Sequence, residues 1–254
     1  MELKFPKTCF ISHSYKDEEA YGLLMKKLQN RGVQPYVFPP IKVSPRNFSS
    51  NTLIEAILEH QSLIYIKGGH SDQSFWVAFE RDYALRAHKQ VDYFDPMTYK
   101  IEKSRIAPLQ LPIYPSYFNN DKERLQDLFK FMQNRHIDFY SWSNTIPNSG
   151  MDTMTNSVST VVRNGGYYVL FLSSKALKSK NVKLELGYSL KSYPDKILIG
   201  LIDEVNKKDI PNFSENLHIV QLYGDKKRSE KHRWDDLIVN LYWLILKNSH
   251  SVYS

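Results

Sequence analysis

The hydrophobic pattern of the first third of the chain alternates between two kinds of segment. Short apolar runs bounded by polar residues predict buried strands, and longer segments with apolar residues every three or four positions predict amphipathic helices. In chain order the pattern predicts strands at Thr8 to Ile11, Val33 to Phe38 and Leu63 to Ile66, and helices at Glu18 to Gln29, Asn51 to Glu59 and Ser74 to Ala84. This alternation predicts an α/β fold with a parallel sheet and helices on both faces.

The third predicted helix combines a polar edge with an aromatic stripe. Trp76 and Glu80 are four residues apart and share one edge, while Phe79 and Tyr83 form a second stripe that we expect to face a core. Because the helix follows an apolar strand, its polar edge is expected at the carboxyl end of the sheet, where α/β folds bind ligands. The alternative is a solvated glutamate beside a half-buried tryptophan.

The sequence repeats itself at a constant shift. The same shift matches Gln29-Asn30-Arg31 with Gln133-Asn134-Arg135, Ser12 with Ser116, Asp17 with Asp121, and Val33 to Phe38 with Ile137 to Trp142. Further on, Val182 to Tyr188 matches Val77 to Tyr83, so that Glu185 stands opposite Glu80 with one residue of drift. The repeat predicts two units, 1–107 and 108–254.

The two predicted units differ in detail. The first looks truncated, because only a short polar segment follows Pro96, whereas the second continues with the apolar run Lys196 to Ile202 and a helix at Trp234 to Lys247. In the second unit Asn181 stands where the first has Trp76. Because Glu185 stands opposite Glu80, it is a candidate for a second site, and the residues around the two glutamates leave both open as the reactive one. Because the tryptophan is absent, we interpret Glu185 first as a remnant or structural residue.

Composition and charge narrow the classes of function. Cys9 is the single cysteine, which excludes an intrachain disulfide and a cysteine-based zinc site and fits a reducing compartment. No apolar run is long enough to span a membrane and no signal peptide is evident, so we expect a cytoplasmic protein without a membrane partner. The net charge of +7 suits polyanionic ligands, but the lysines are scattered. We do not expect nucleic acid as a partner, and no cluster of metal ligands is present in the sequence.

Two motifs resemble one known family. Phe10 to Ser14 with the acidic residues that follow, and Ser74 to Glu80 with Tyr83 after it, resemble a bacterial TIR (Toll/interleukin-1 receptor) domain. The resemblance covers roughly residues 7–96 and implies a flavodoxin-like parallel sheet. Through the internal repeat, the second half resembles a degenerate TIR-like unit.

The resemblance implies an activity on NAD+. Many bacterial TIR domains cleave the bond between nicotinamide and ribose, and some cyclise the ADP-ribose product into a signal for antiviral defence. NAD+ or a related nucleotide is then the substrate, no further cofactor is implied, and Glu80 is the catalytic residue. The chemistry is compatible, because nicotinamide leaves a cationic pyridinium as a neutral molecule and needs no general acid. Glu80 could stabilise the oxocarbenium charge, bond the ribose hydroxyls or attack as nucleophile.

The resemblance also points to substrate-binding residues. The aromatic candidates could stack on the pyridinium or adenine, the polar residues of the first turn could receive phosphate, and the loop residues belong to a segment that gates the site and contacts the next subunit in TIR domains. Core packing, helix capping and an ordinary mobile loop are the respective alternatives. These candidates are Phe10, Ser12, His13, Ser14, Arg46, Phe48 and Trp76.

Two other classes of function remain open. One is a non-catalytic module that assembles through TIR–TIR self-association or binds a defence partner protein. The other is a sensor that binds a nucleotide signal between the two halves. NAD+ turnover separates both from the enzyme, and a sensor would show ligand-induced thermal stabilisation without turnover.

Overall fold

The chain forms two compact units, and each is described by itself. The computed structural model describes residues 7–38, 51–111, 113–137, 139, 159, 162–163, 165–214, 216–224 and 229–249. One unit extends to Leu109 and the other begins at Gln110. Each has a predominantly parallel sheet flanked by helices, as the predicted α/β class requires.

The first unit contains five strands in the order β2-β1-β3-β4-β5. Strands β1 to β4 are parallel, and β5 runs antiparallel to β4. This is the flavodoxin-like order with its last strand reversed. The elements are β1 (Thr8–Ser12), α1 (Glu18–Gln29), β2 (Gln34–Val37), α2 (Asn51–Glu59), β3 (Ser62–Ile66), α3 (Phe75–Arg86), β4 (Gln90–Asp95) and β5 (Lys100–Lys103).

Helices cover both faces of this sheet. Leu24 and Leu28 of α1 are fully buried in one apolar cluster with Cys9 and Ile11, which alternate on one face of β1. The α3 helix packs on β1, β3 and β4, and its predicted inward stripe, Phe79 and Tyr83, is fully buried. The face of α3 that packs on the sheet is therefore the one that the apolar pattern predicts.

The edge strand β5 is a difference from the sequence prediction of a short polar segment. The carboxylate of Asp95 accepts hydrogen bonds from the backbone N–H groups of Met97 (2.9 Å) and Thr98 (3.3 Å), and Tyr99 adopts a positive φ of 55°. These contacts turn the chain back along β4. Only Ile101 of the short strand is buried, so its hydrophobic pattern was too weak to predict it.

The end of the first unit is attached to α3. Asp82 and Arg86 lie one turn apart on this helix, with 3.8 Å between Asp82 Oδ2 and Arg86 Nη2. The backbone N–H of Leu109 donates to Asp82, and Arg86 donates to the carbonyl oxygen of Leu109. Asp82 is only 3% exposed, so this contact is largely protected from water. The unit ends two residues beyond the boundary that the sequence repeat suggested.

The second unit contains four parallel strands in the order β6-β7-β8-β9. The strand predicted at residues 196–202 and the last helix are present. The elements are β6 (Ile113–Tyr117), α4 (Lys122–Asn134), β7 (Tyr167–Leu172), α5 (Lys180–Ser192), β8 (Ile197–Leu201), β9 (His218–Gln221) and α6 (Glu230–Ser249).

The strand register of the two units follows the sequence repeat. In the first unit Cys9 of β1 pairs with Pro35 of β2 in parallel. In the second unit Ile113 of β6 forms a parallel bridge with Phe139. Both pairs are related by the constant shift seen in the sequence, so matching residues occupy matching positions in the two sheets. Residues 140–142, predicted to continue this strand, lie outside the described residues.

Candidate functional site

The predicted catalytic residue contacts the end of the first strand. Glu80 lies on α3, and its carboxylate Oε2 accepts a hydrogen bond from the hydroxyl of Ser12, the last residue of β1. The N-terminus of α3 is capped by Ser74, whose hydroxyl accepts from the backbone N–H of Val77 (3.4 Å). Ser12 and Glu80 are only 1% and 6% exposed. The alternative of a solvated surface glutamate does not describe Glu80.

Burial sets the charge state of this carboxyl group. Removal from water raises the pKa of Glu80 from 4.5 to about 8, and the hydrogen bond from Ser12 partly opposes the change. At neutral pH Glu80 therefore holds a proton for most of the time. A cation placed against it would favour the ionised form.

The loops that follow β1 and β3 are joined by one carboxylate. Asp17 Oδ2 accepts from the backbone N–H (2.7 Å) and the hydroxyl (2.6 Å) of Ser71, and Asp17 Oδ1 accepts from the N–H of His70 (3.1 Å). Ser71 Oγ in turn accepts from the N–H of Ser14 (2.9 Å). At Gly69, with φ at 58°, an added Cβ atom would lie 2.8 Å from Asp17 Oδ1, so another residue would be strained there and would displace this carboxylate. We call these contacts the Asp17 latch.

Two groups of the expected phosphate site already take part in hydrogen bonds within the protein. The hydroxyl of Ser12 and the N–H of Ser14 both donate within the protein, to Glu80 and Ser71 respectively. Helix α1 begins with Asp17 followed by acidic residues in its first turn. Phosphate binding at this helix N-terminus stays a prediction, and the local negative charge disfavours it.

His13 contacts an aromatic ring of α1. Its imidazole stacks on Tyr21 with ring centroids 4.5 Å apart and an interplanar angle of 12°. Burial lowers the pKa of His13, and the charge of Asp17 partly opposes this shift. His13 is therefore a neutral, partly buried ring just beyond the end of β1.

The two aromatic candidates differ in accessibility. Phe10 is fully buried and packs against Tyr36 and His60 with centroid distances of 5.9 and 6.2 Å. This is the core-packing alternative, and Phe10 presents no ring face to a ligand in this arrangement. Trp76 is partly buried and lies edge to face with Phe75 at 5.0 Å. Of these two candidates, Trp76 is the partly exposed one, and it lies on the helix that carries Glu80.

The loop candidates Arg46 and Phe48 lie outside the described residues, and the gating role predicted for them stays a prediction.

The second unit repeats the serine–glutamate pair. Ser116 Oγ of β6 donates to Glu185 Oε1 of α5 at 3.3 Å, and Glu185 is 4% exposed. Burial raises the pKa of Glu185, while the neighbouring Tyr168 and the hydroxyl of Ser116 oppose the shift. The charge of Glu185 also contributes to the raised pKa values of Tyr168 and Tyr114. Two tyrosines thus lie near this carboxyl group.

The corresponding positions of the first unit are apolar. Tyr114 and Tyr168 pair across β6 and β7, and the matching pair across β1 and β3 is Phe10 and Leu63. The carboxyl group of the second unit thus has two tyrosines nearby where the first unit has apolar side chains. This difference supports a structural role for Glu185.

The Asp17 latch is repeated in part. In the second unit the hydroxyl of Ser173 donates to Asp121 Oδ2 at 2.6 Å, as the hydroxyl of Ser71 donates to Asp17. Sequence analysis matched Asp17 with Asp121 but did not predict these contacts with serine. The serines were missed because their shift differs slightly from that of the aspartates.

Within the described residues no group of three or more His, Cys, Asp and Glu side chains could hold a metal ion. None of the helices described is both long and apolar enough to cross a membrane.

Comparison with known proteins adds little. No protein-family model matches the chain, and no curated protein matches it. Among solved structures it is similar to a putative LacI-family transcription repressor from Corynebacterium glutamicum, with 9% identity, a TM-score of 0.28 and coverage of 96% of this chain and 92% of that chain. It is also similar to a XylFII–LytSN complex, with 12% identity, a TM-score of 0.29 and coverage of 96% and 93%. At these TM-scores the likeness carries no argument, and neither protein is described as a TIR domain.

Proposed function

We propose that this protein is a TIR-type NAD+ nucleosidase that cleaves the bond between nicotinamide and ribose, with Glu80 as its catalytic residue, in bacterial antiviral defence signalling. The observation that supports this most is the buried carboxyl group of Glu80, held by Ser12 at the carboxyl end of β1. In sheets of this strand order, ligands bind outside the carboxyl ends of the strands. The TIR resemblance of the motifs around both residues supplies the substrate class.

The charge of the substrate explains how a protonated carboxyl group becomes reactive. NAD+ carries a positive pyridinium ring, and a positive charge beside a buried carboxyl group lowers its pKa. Binding would therefore drive the proton off Glu80 and leave an ion pair in a poorly solvated site. The electrostatic attraction is stronger there than in water.

Bond cleavage then needs one carboxylate. The electron pair of the C1′–N bond leaves with nicotinamide, which becomes neutral, and the ribose becomes an oxocarbenium ion that ionised Glu80 stabilises. Water adds to C1′ and loses a proton, which gives ADP-ribose; a nitrogen of the adenine in the same position would give a cyclic product. Trp76, one turn away on the same helix, would pack against the departing ring.

The test is to incubate purified protein with NAD+ and to measure the released nicotinamide by chromatography. Glu80→Gln is the matched variant, because its amide oxygen still accepts the Ser12 hydrogen bond. We expect a loss of about 100-fold or more in rate, the usual cost of removing a group that stabilises transition-state charge. Glu185→Gln, the control in the second unit, should retain turnover.

Full turnover by Glu80→Gln would remove the assignment of this residue. Assays at several protein concentrations are needed, because the TIR resemblance implies self-association. If the wild-type chain releases no nicotinamide at any concentration, the nucleosidase proposal fails. Thermal stabilisation by NAD+ without turnover would then favour a sensor, and self-association without ligand binding would favour an assembly module.

A further inference from the structure

The residue that follows Glu80 is a cation in an unusual setting. The guanidinium carbon of Arg81 lies 5.3 Å from the ring centroid of Tyr65, near the end of β3. Tyr65 is paired in register with Ser12 on the neighbouring strand β1. Glu80 therefore contacts Ser12 of β1, while Arg81 contacts Tyr65 of β3. These two strands are adjacent, and adjacent strands are about 4.8 Å apart. Both groups are at the β1/β3 position where this strand order changes direction and where flavodoxin-like folds bind ligands.

Arg81 has no acidic partner among the residues that the structure describes. It forms no ion pair there, and its buried Nε atom has no hydrogen-bond acceptor. The other arginine of α3, Arg86, instead pairs with Asp82 and donates to Leu109. A partly buried guanidinium without a counter-charge is unfavourable unless something else binds it.

The second unit shows what the fold itself requires at this position. Leu186 follows Glu185 on α5, and Leu170 is paired in register with Ser116. These leucines match Arg81 and Tyr65, and they are 0% and 1% exposed in one apolar cluster. The same helix therefore packs on the same strands with leucine at both positions. The fold therefore accepts leucine at both positions, and the arginine and tyrosine of the first unit are not needed to build it.

We propose that Arg81 is an anion subsite of the Glu80 site and binds a phosphate group of the dinucleotide substrate. A guanidinium offers several donors in one plane, which suits bidentate phosphate binding. The nicotinamide nucleotide half of NAD+ carries a cationic ring and a phosphate on either side of one ribose. Neighbouring Glu80 and Arg81 present the complementary order of charges, with the carboxylate for the ring and the guanidinium for the phosphate. The identity of this ligand rests on the proposed function, whereas the anion subsite rests on the contacts of Arg81.

Arg81→Leu tests the subsite, because the second unit shows that leucine packs at this position. Three substrates are compared: NAD+, nicotinamide mononucleotide, and nicotinamide riboside, which has no phosphate. We expect Arg81→Leu to raise KM for the two phosphorylated substrates about tenfold or more, since tenfold corresponds to one good interaction, and to affect the riboside far less. Arg81→Lys keeps the charge without the planar donors and should fall between the two.

An equal loss on all three substrates would overturn the proposal, because it would indicate a structural role. An unchanged KM for NAD+ would overturn it as well. The melting temperature of each variant identifies misfolding.

A second measurement separates this proposal from the proposed function. Inorganic pyrophosphate and ADP-ribose are titrated against the wild-type chain and Arg81→Leu, and the shift in melting temperature is recorded. Stabilisation of the wild type alone supports the anion subsite even if the protein does not cleave NAD+. Equal stabilisation of both proteins, or of neither, rejects the subsite whether or not nicotinamide is released.

Discussion

The hydroxyl of Ser12 donates a hydrogen bond to the carboxyl group of Glu80, 68 residues further along the chain. In the second unit Ser116 and Glu185 form the same contact over a separation of 69 residues. The contact is therefore part of the repeated architecture. The groups around it differ, with an apolar setting in the first unit and phenols in the second, and the predictions below use each unit as the control for the other.

Glu80→Gln should change how stability depends on pH. Between 4.5 and about 8, folded Glu80 holds a proton that the unfolded chain has lost, so wild-type stability falls as pH rises through this window. The slope from this group is at most about 1.4 kcal/mol per pH unit. Glutamine does not titrate, so the melting temperature of Glu80→Gln should increase relative to that of the wild type as pH rises. Parallel melting curves across the window would contradict the buried carboxyl group.

The pH dependence of NAD+ cleavage should also reflect the titration of Glu80. If the ionised carboxylate is the reactive form, kcat/KM for NAD+ rises with pH and levels off near pH 8, the pKa of Glu80 in the free protein. The cationic ring lowers that pKa in the complex, so kcat should level off at a lower pH than kcat/KM. Initial rates at saturating and limiting NAD+ measure both profiles, and a decline in kcat/KM over this range would argue against an ionised Glu80.

Ser12→Ala should move the profile to higher pH. The Ser12 hydrogen bond holds the pKa of Glu80 below the value that burial alone would produce, and alanine removes it. Turnover at neutral pH should fall, and partial recovery is expected at alkaline pH. The loss of a buried hydrogen bond should also cost about 1–3 kcal/mol of unfolding free energy. Ser116→Ala is the control, and it should lower stability while leaving the pH–rate profile in place.

Asp17→Asn should loosen the loops after β1 and β3. An amide cannot replace all the acceptor capacity of the carboxylate, which receives three hydrogen bonds from His70 and Ser71. We expect a loss of about 1.5–3 kcal/mol in unfolding free energy, because hydrogen bonds to a charged group are broken. Amide hydrogen exchange should increase at residues 68–74. Asp121→Asn should increase exchange near Ser173 instead, and an effect spread evenly over the chain would contradict a local latch.

Much of the architecture could be predicted from apolar periodicity. The apolar residues of the sequence directly indicate three elements. These are the strands around Phe10 and Ile64 and the helix that carries Glu80. The pairing of Ile113 with Phe139 agrees with the constant shift of the repeat. Strand β5 was missed, because hydrogen bonds from Asp95 create its turn and one buried residue makes no pattern.

The details of the site were harder to predict. Ser12 was expected to bind phosphate, but which strand residue faces Glu80 depends on the register between β1 and α3, and no local pattern encodes that register. Arg81 was not singled out, because a charged residue on a helix usually indicates a solvated edge. Comparison with Leu186, the buried leucine at the matching position of the second unit, shows that the fold does not require a charged residue there.

The attachment of Leu109 to Asp82 and Arg86 determines where the chain can be divided for separate expression. A fragment ending at residue 107 would lack the peptide N–H and carbonyl groups that these two side chains bind. Because Asp82 is almost fully buried, that truncation would weaken the helix that presents Glu80. A recombinant first unit should therefore extend past Leu109, and any protease site or tag belongs after it.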